Sequence, residues 1–205
     1  DLHRNRYDPR IAPFPWAKRD GLRTVQANGR TWWERNMVKE WDTATLAAAK
    51  GRFVSDNGIP FEVAATGKDA VFTSRYTNFP SRVEIPVNQR ARKVCVLLAA
   101  SIPVMQSRMD NGRVTVVFED GTQRAVVLRD PETIDDWIGS GYGKPYLEKG
   151  DSRPQPLGKN THAVLREIDL GDTKAVRSLI LETSTNETLI GLLGITVMQE
   201  DEARK

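Results

Sequence analysis

Residues 114–128 read Val114-Thr-Val-Val-Phe-Glu-Asp-Gly-Thr-Gln-Arg-Ala-Val-Val-Leu128. Two runs rich in β-branched residues flank Asp120-Gly121, and Asp and Gly both tolerate a positive φ. The stretch predicts an antiparallel hairpin closed by a tight type I′ turn at Asp120-Gly121. Asp110-Asn111-Gly112 marks a second turn, which leads into the first arm.

The same two-residue period extends on both sides of this hairpin. Val83, Ile85 and Val87 alternate with Arg82, Glu84 and Pro86, the pattern of a half-buried strand. Val94–Ala100 is apolar throughout, as suits a central strand covered on both faces. Further strands are expected at 52–55, 60–64, 70–73, 113–118, 122–128, 163–168, 176–183 and 189–198. The intervals between them are too short for the helices that a parallel α/β sheet requires. The expected fold is mainly β: an antiparallel two-sheet β-sandwich of jelly-roll type preceded by one α-helix. That helix is placed at 32–50, with Trp33, Met37 and Trp41 on one face and Gly51 as its stop.

Composition fits a globular chain. The 205 residues are 39% hydrophobic, and the longest apolar run, Val94–Ala100, is far below the ~20 residues needed to span a bilayer. The formal net charge is +3. Residues 1–35 hold 8 Lys and Arg against 4 Asp and Glu, so the basic excess sits in this segment and not on the body. That distribution argues against a nucleic-acid partner, which would call for cations clustered on the folded domain. Four of the five Trp (Trp16, Trp32, Trp33 and Trp41) also fall near the N-terminus. The chain starts at Asp1, which is read as removal of a leader or as a piece of a longer polypeptide. Residues 1–50 are expected to be an irregular segment plus helix, 51–198 the sandwich domain and 199–205 a charged tail.

Catalytic chemistry finds little footing. Cys95 is the one cysteine, so no disulfide within the chain can form, and its place between valines suits a buried small hydrophobe. His3 and His162 are the only histidines, which excludes structural zinc and leaves no nucleophilic triad. Gly139, Gly141 and Gly143 form G-x-G-x-G, which lacks both the spacing and the strand-to-helix flanks of a dinucleotide site. Asp135 and Asp136 lie within a long insertion at 129–161, where they could border a cleft and serve a glycoside hydrolase. As neighbours along an extended chain, however, they would face opposite ways rather than across a cleft. Asp and carbonyl oxygens in such loops could hold a structural Ca²⁺, but no spacing specifies one, and no cofactor is expected.

Aromatic residues give the stronger functional pointer. Trp137, Tyr142 and Tyr146 lie close together beside a glycine-rich loop, and Tyr76 and Phe79 form a second cluster. Such rings either plug the ends of a sandwich or stack on the apolar face of a sugar.

Five segments carry a family resemblance. In order they are Gly58-Ile-Pro-Phe-Glu-Val, Val83-Glu-Ile-Pro-Val, Ala91-Arg-Lys-Val-Cys-Val-Leu-Leu-Ala-Ala-Ser, Gly112-Arg-Val-Thr-Val-Val-Phe-Glu-Asp-Gly-Thr and Trp137-Ile-Gly. This order resembles galactose-binding-like β-sandwich modules attached to bacterial glycoside hydrolases, in particular a C-terminal domain family of glycosidases from gut anaerobes. The resemblance spans roughly residues 51–198 and rests on packing and turn residues, so it carries fold rather than chemistry. It implies a non-catalytic ancillary module that binds carbohydrate or supports a catalytic neighbour, with residues 1–50 leading from an upstream domain. It also implies a periplasmic or extracellular location. Sugar contact would then fall to Trp137, Tyr142, Tyr146 and Tyr76. A ligand-free domain–domain interaction module and a hydrolase using Asp135 or Asp136 are the alternatives.

Overall fold

A computed structural model describes residues 45, 48–63, 71–75, 80–102, 104–137, 152–157, 162–186 and 188–199. Most of the expected helix lies outside these residues. Its end is seen where the Ala49 amide donates to the Thr45 carbonyl at 3.0 Å, just before Gly51 at φ 93°.

The described residues form nine strands: β1 (Arg52–Val54), β2 (Pro60–Glu62), β3 (Val71–Ser74), β4 (Arg82–Ser101), β5 (Asp110–Phe118), β6 (Gln123–Arg129), β7 (Ser152–Pro156), β8 (His162–Thr183) and β9 (Leu189–Met198). All their pairings are antiparallel. β1 and β2 form a small hairpin. The other seven strands make one sheet in the order β3-β9-β4-β8-β5-β6, with β7 added to β8. The mainly β, antiparallel expectation holds.

The two layers are halves of one continuous sheet. β4 and β8 are 20 and 22 residues long and run through both. In the first half Lys93–Leu98 of β4 pairs with Val164–Asp169 of β8, flanked by β9 and β7. In the second half Arg82–Pro86 pairs with Ser178–Glu182, flanked by β5 and β6. The sequence divides each long strand in two because the connecting stretches are polar. Those stretches are the bend. The β4–β8 register shifts between Pro86 and Gln89 and again between Ala91 and Lys93, and Asn88 adopts φ 49°. Opposite the second shift, Gly171 sits at φ 82° and its amide donates to Asp169 Oδ1 at 2.8 Å. Bulges of this kind sharpen strand curvature.

Curling brings the halves together over the main core. Val94, Val96, Leu98, Ala100 and Ile168 of the first half meet Val114, Val116, Leu128, Leu179 and Leu181 of the second. The opposite face of the first half is also buried. Cys95, Leu97, Ala99 and Leu165 are covered there by Phe53 and Phe61 of the β1–β2 hairpin and by Trp137 and Leu157. Every residue of Val94–Ala100 is therefore at most 1% exposed, as its unbroken apolar run implies. Each such Leu or Val contributes about 1.5–3 kcal/mol of burial.

The β5–β6 turn differs in detail from the expected type I′. Gly121 takes φ 83°, while Asp120 is not among the residues with positive φ. The Gly121 amide bonds the Phe118 carbonyl at 3.0 Å, and the Phe118 amide bonds the Thr122 carbonyl at 2.9 Å. This is a three-residue loop, a type I turn followed by a left-handed glycine. The Asp120 carboxylate selects it by accepting from the Thr122 amide at 2.8 Å and its hydroxyl at 2.6 Å. A type I′ turn would lack this arrangement.

Candidate functional site

Tyr76, Tyr142 and Tyr146 lie outside the described residues, as does Phe79. Trp137 is 2% exposed and its ring fills the core beside Leu97 and Leu165. A ring so placed offers no face to a sugar arriving from solvent. Its backbone instead ties two strands together. The amide donates to the Ala100 carbonyl at 2.8 Å, and the carbonyl accepts from the His162 amide at 2.9 Å. Residues 135–137 thus wedge between the end of β4 and the start of β8.

The wedge fixes both aspartates. Asp136 Oδ2 accepts from the Ile102 amide at 2.9 Å, so its carboxylate caps the end of β4. Asp135 is 2% exposed and accepts from the Asp136 amide at 2.8 Å. Among the described residues the two carboxylates are held by backbone amides and do not form the facing pair that a glycosidase needs.

Asp135 does meet another carboxyl. Asp130, just before the cis bond to Pro131, lies close enough to interact with it. Burial raises the Asp130 pKa, opposed by a bond from Ser107 and by the nearby Arg108 and Asp135. His162 Nε2 stands 3.6 Å from Asp135 Oδ2 and makes no hydrogen bond among the described residues. Burial pushes this imidazole down to about 4, so it is neutral near pH 7. The 3.6 Å approach is an ion pair only for a protonated ring, and desolvation outweighs that attraction. These groups can hold and share protons. Asp135 and His162 are buried, at 2% and 4% exposure, while Asp130 is half-buried. Among the described residues no group of three or more His, Cys, Asp and Glu is placed to hold a metal ion.

Open chemistry lies instead at the edge of β8. The pairing of β7 with β8 stops at Ser152 and Arg166, and β5 joins the same side of β8 only from Val176 onward. A notch of about 330 Å³ opens in this interval, lined by Lys93, Arg124, Arg153, Arg166, Glu167 and Asp169 together with Val126 and Ile168. Its polar groups are supplied by β4, β6, β7 and β8, so the sheet itself sets their spacing.

Glu167 is the hub. Lys93 Nζ donates to its Oε2 at 2.9 Å, Asn57 Nδ2 donates to Oε1 at 2.9 Å, and Arg153 Nε stands 3.8 Å from Oε1. The Glu167 bond raises the Lys93 pKa, holding the amine charged. The Gly171 amide lowers Asp169, helped by Arg92, Lys93 and Arg124. Arg166, 7% exposed, donates from Nη1 to Ser152 Oγ at 3.1 Å, and Ser152 in turn donates to the Thr133 carbonyl at 2.9 Å. The sequence signal for this site was faint. Arg166 stands out as a charge inside an apolar strand, but nothing in the linear order brings Arg124 or Arg153 to it.

A second, wider groove of about 850 Å³ runs along β1, β2 and β9, lined among others by Lys50, Arg52, Phe61, Glu62, Ile195 and Val197. Among the described residues no helix is long and apolar enough to cross a membrane.

No protein-family model matches the chain, and no curated protein matches it. Similar solved structures include AlgX of Pseudomonas aeruginosa, at 10% identity and a TM-score of 0.34, covering 63% of this chain and 26% of that one. They also include the catalytic unit of a thermostable GH87 alpha-1,3-glucanase from Streptomyces thermodiastaticus, at 15% identity and a TM-score of 0.34, covering 65% and 20%. The chain thus spans only a minor part of the length of either protein.

Proposed function

We propose that this chain is a non-catalytic β-sandwich module of a polysaccharide-processing protein, and that it binds glycan at the notch on the open edge of β8. The observation that carries this reading is the notch itself. It is solvent-open and polar, and it is built on strands that hold its side chains in fixed places. Volumes of about 300–1,000 Å³ are usual for small-ligand sites, and this one sits at the lower end, suited to one or two sugar rings. Arg and Lys donors alternate with the carboxylates of Glu167 and Asp169, so sugar hydroxyls would find both donors and acceptors. The sequence resemblance to glycosidase-attached modules points the same way. The buried state of Asp135 and the capping role of Asp136 favour a binding role over hydrolysis.

On this reading residues 51–198 act as the binding unit, residues 1–50 join it to an upstream catalytic domain, and the protein works in the periplasm or outside the cell. Tyr76, Tyr142 and Tyr146 remain candidates for added stacking contacts. Affinity gel electrophoresis of the whole chain against a panel of neutral and acidic polysaccharides tests the reading. Retardation by at least one of them, with no release of reducing ends, is expected. Migration unchanged in every gel, or hydrolysis that Asp136→Asn abolishes, would overturn it.

A further inference from the structure

The charge of the notch specifies its ligand further. Lys93, Arg124, Arg153 and Arg166 supply four positive charges, and Glu167 and Asp169 two negative ones. The two carboxylates are already engaged. Glu167 takes bonds from Lys93 and Asn57 and faces Arg153, while Asp169 takes the Gly171 amide. Two of the cations are less fully matched. Arg124 makes no hydrogen bond or ion pair among the described residues and meets Asp169 through its charge alone, and Arg153 stands 3.8 Å from Glu167 with its side chain 48% exposed. Arg166 adds a guanidinium held in the wall at 7% exposure, where a charge interacts more strongly than at the open surface.

We infer, resting on the glycan reading above, that the notch between β6, β7 and β8 takes an anionic glycan, with a ring carboxylate or sulfate seated between Arg124 and Arg153 over Arg166. A guanidinium presents two parallel N–H donors that match a carboxylate or sulfate edge. Two such forks from different strands would fix both the charge and the ring that bears it. A neutral sugar would bring Arg124 and Arg153 no counter-charge. The charge preference therefore belongs to the built site and not to the basic N-terminal residues, which would attract any polyanion.

The test uses the whole chain in affinity gels containing polygalacturonate, dextran sulfate or neutral dextran. Polygalacturonate separates the carboxylate source, dextran sulfate the sulfate source, and dextran supplies the uncharged backbone. We expect retardation by at least one charged polymer and none by dextran. The double variant Arg124→Gln, Arg153→Gln should weaken that binding at least tenfold, and Arg124→Lys, Arg153→Lys, which keeps the charges but loses both forks, should fall between it and the parent. Both arginines are exposed, and an unchanged far-UV circular dichroism spectrum would confirm that the variants fold. Dextran retarding the chain as strongly as polygalacturonate would overturn the charge preference while leaving glycan binding intact. Charged-polymer binding unaltered in the Gln double variant would overturn the site, and would place the attraction on the N-terminal cations. Failure of all three polymers to retard the chain would overturn the anionic-ligand inference. If a neutral glycan other than dextran still retarded it, the broader reading would survive.

Discussion

Replacing His162 should flatten the acid limb of the stability curve. The imidazole is buried, and burial pushes its pKa from 6.5 down to about 4. The unfolded chain therefore takes up this proton at a higher pH than the folded one. The stabilisation is fully present above pH 6.5, is lost as pH falls from there through 4, and changes no further below that. A separation of about 2.5 units corresponds to about 3 kcal/mol across the whole interval, and to about 2 kcal/mol by pH 5. Asp130 works in the opposite direction, since burial raises its pKa and favours its protonated form. The effect of His162 must therefore be read as a difference. Urea denaturation of the parent and of His162→Gln at about pH 7.5, 6, 5 and 4.5 supplies it. The gap between the two proteins should narrow or reverse by about 2 kcal/mol between about pH 7.5 and 5. Parallel curves would refute the reasoning. They would mean that the Asp135 carboxylate at 3.6 Å pairs with the imidazolium well enough to cancel the cost of burial.

Three further outcomes follow from the packing. Gly112→Ala would place a Cβ 2.3 Å from the Glu182 carbonyl oxygen and 2.7 Å from Ile190 Cδ1. The β5–β8 pair must part to admit it, at a cost of about 3 kcal/mol in chemical denaturation, the upper end of ordinary overpacking. Trp137→Ala should cost about 3–5 kcal/mol as a core truncation. Below its lowered melting temperature the folded fraction should bind glycan as the parent does, which calorimetry at about 10 °C would read. The Cys95 thiol, fully buried and with its pKa pushed up to about 12, should stay silent toward a thiol-reactive disulfide reagent in the native protein. Its labelling should follow the unfolding rate, and fast native labelling would contradict the placement of β4 between β8 and β9.

The fold was legible where burial and local chemistry agree. Val94–Ala100 reads as a central strand because both its faces are covered, and Asp120-Gly121 reads as a hairpin because a turn there needs a left-handed residue. Two features escaped. Asn88-Gln-Arg-Ala-Arg-Lys93 looks like a loop, yet Gln89, Arg90 and Ala91 pair with Val176, Ala175 and Lys174. The stretch is polar because the bend turns several of its side chains to solvent, and alternation fails where a bulge shifts the register. Ser152-Arg-Pro-Gln-Pro156 looks unfit for a sheet because of its prolines. It forms β7 all the same, since it pairs with β8 alone and proline is tolerated at an edge. The site was less legible than the fold. Aromatic spacing drew attention to Trp137, which the wedge between β4 and β8 turns inward. The notch is assembled from single cations on four strands, each of which looks like an ordinary solvated charge in its own segment. Asp130 likewise gave no sign of meeting Asp135, because only the turn through Pro131 brings the two together.

The continuity of β4 and β8 through both halves bears on how the chain reaches this structure. Neither half has a complete set of strands of its own, so neither can be excised as an autonomous piece. The pairings that define the fold, such as Leu98 with Val164 and Arg82 with Glu182, join residues far apart in the chain. High contact order slows folding, because loop closure must precede the contacts that reward it. The nascent chain exposes its most apolar segment, Val94–Ala100, well before β8 exists to cover it. Nascent β4 therefore has to be kept from pairing with other chains until synthesis has passed Thr183.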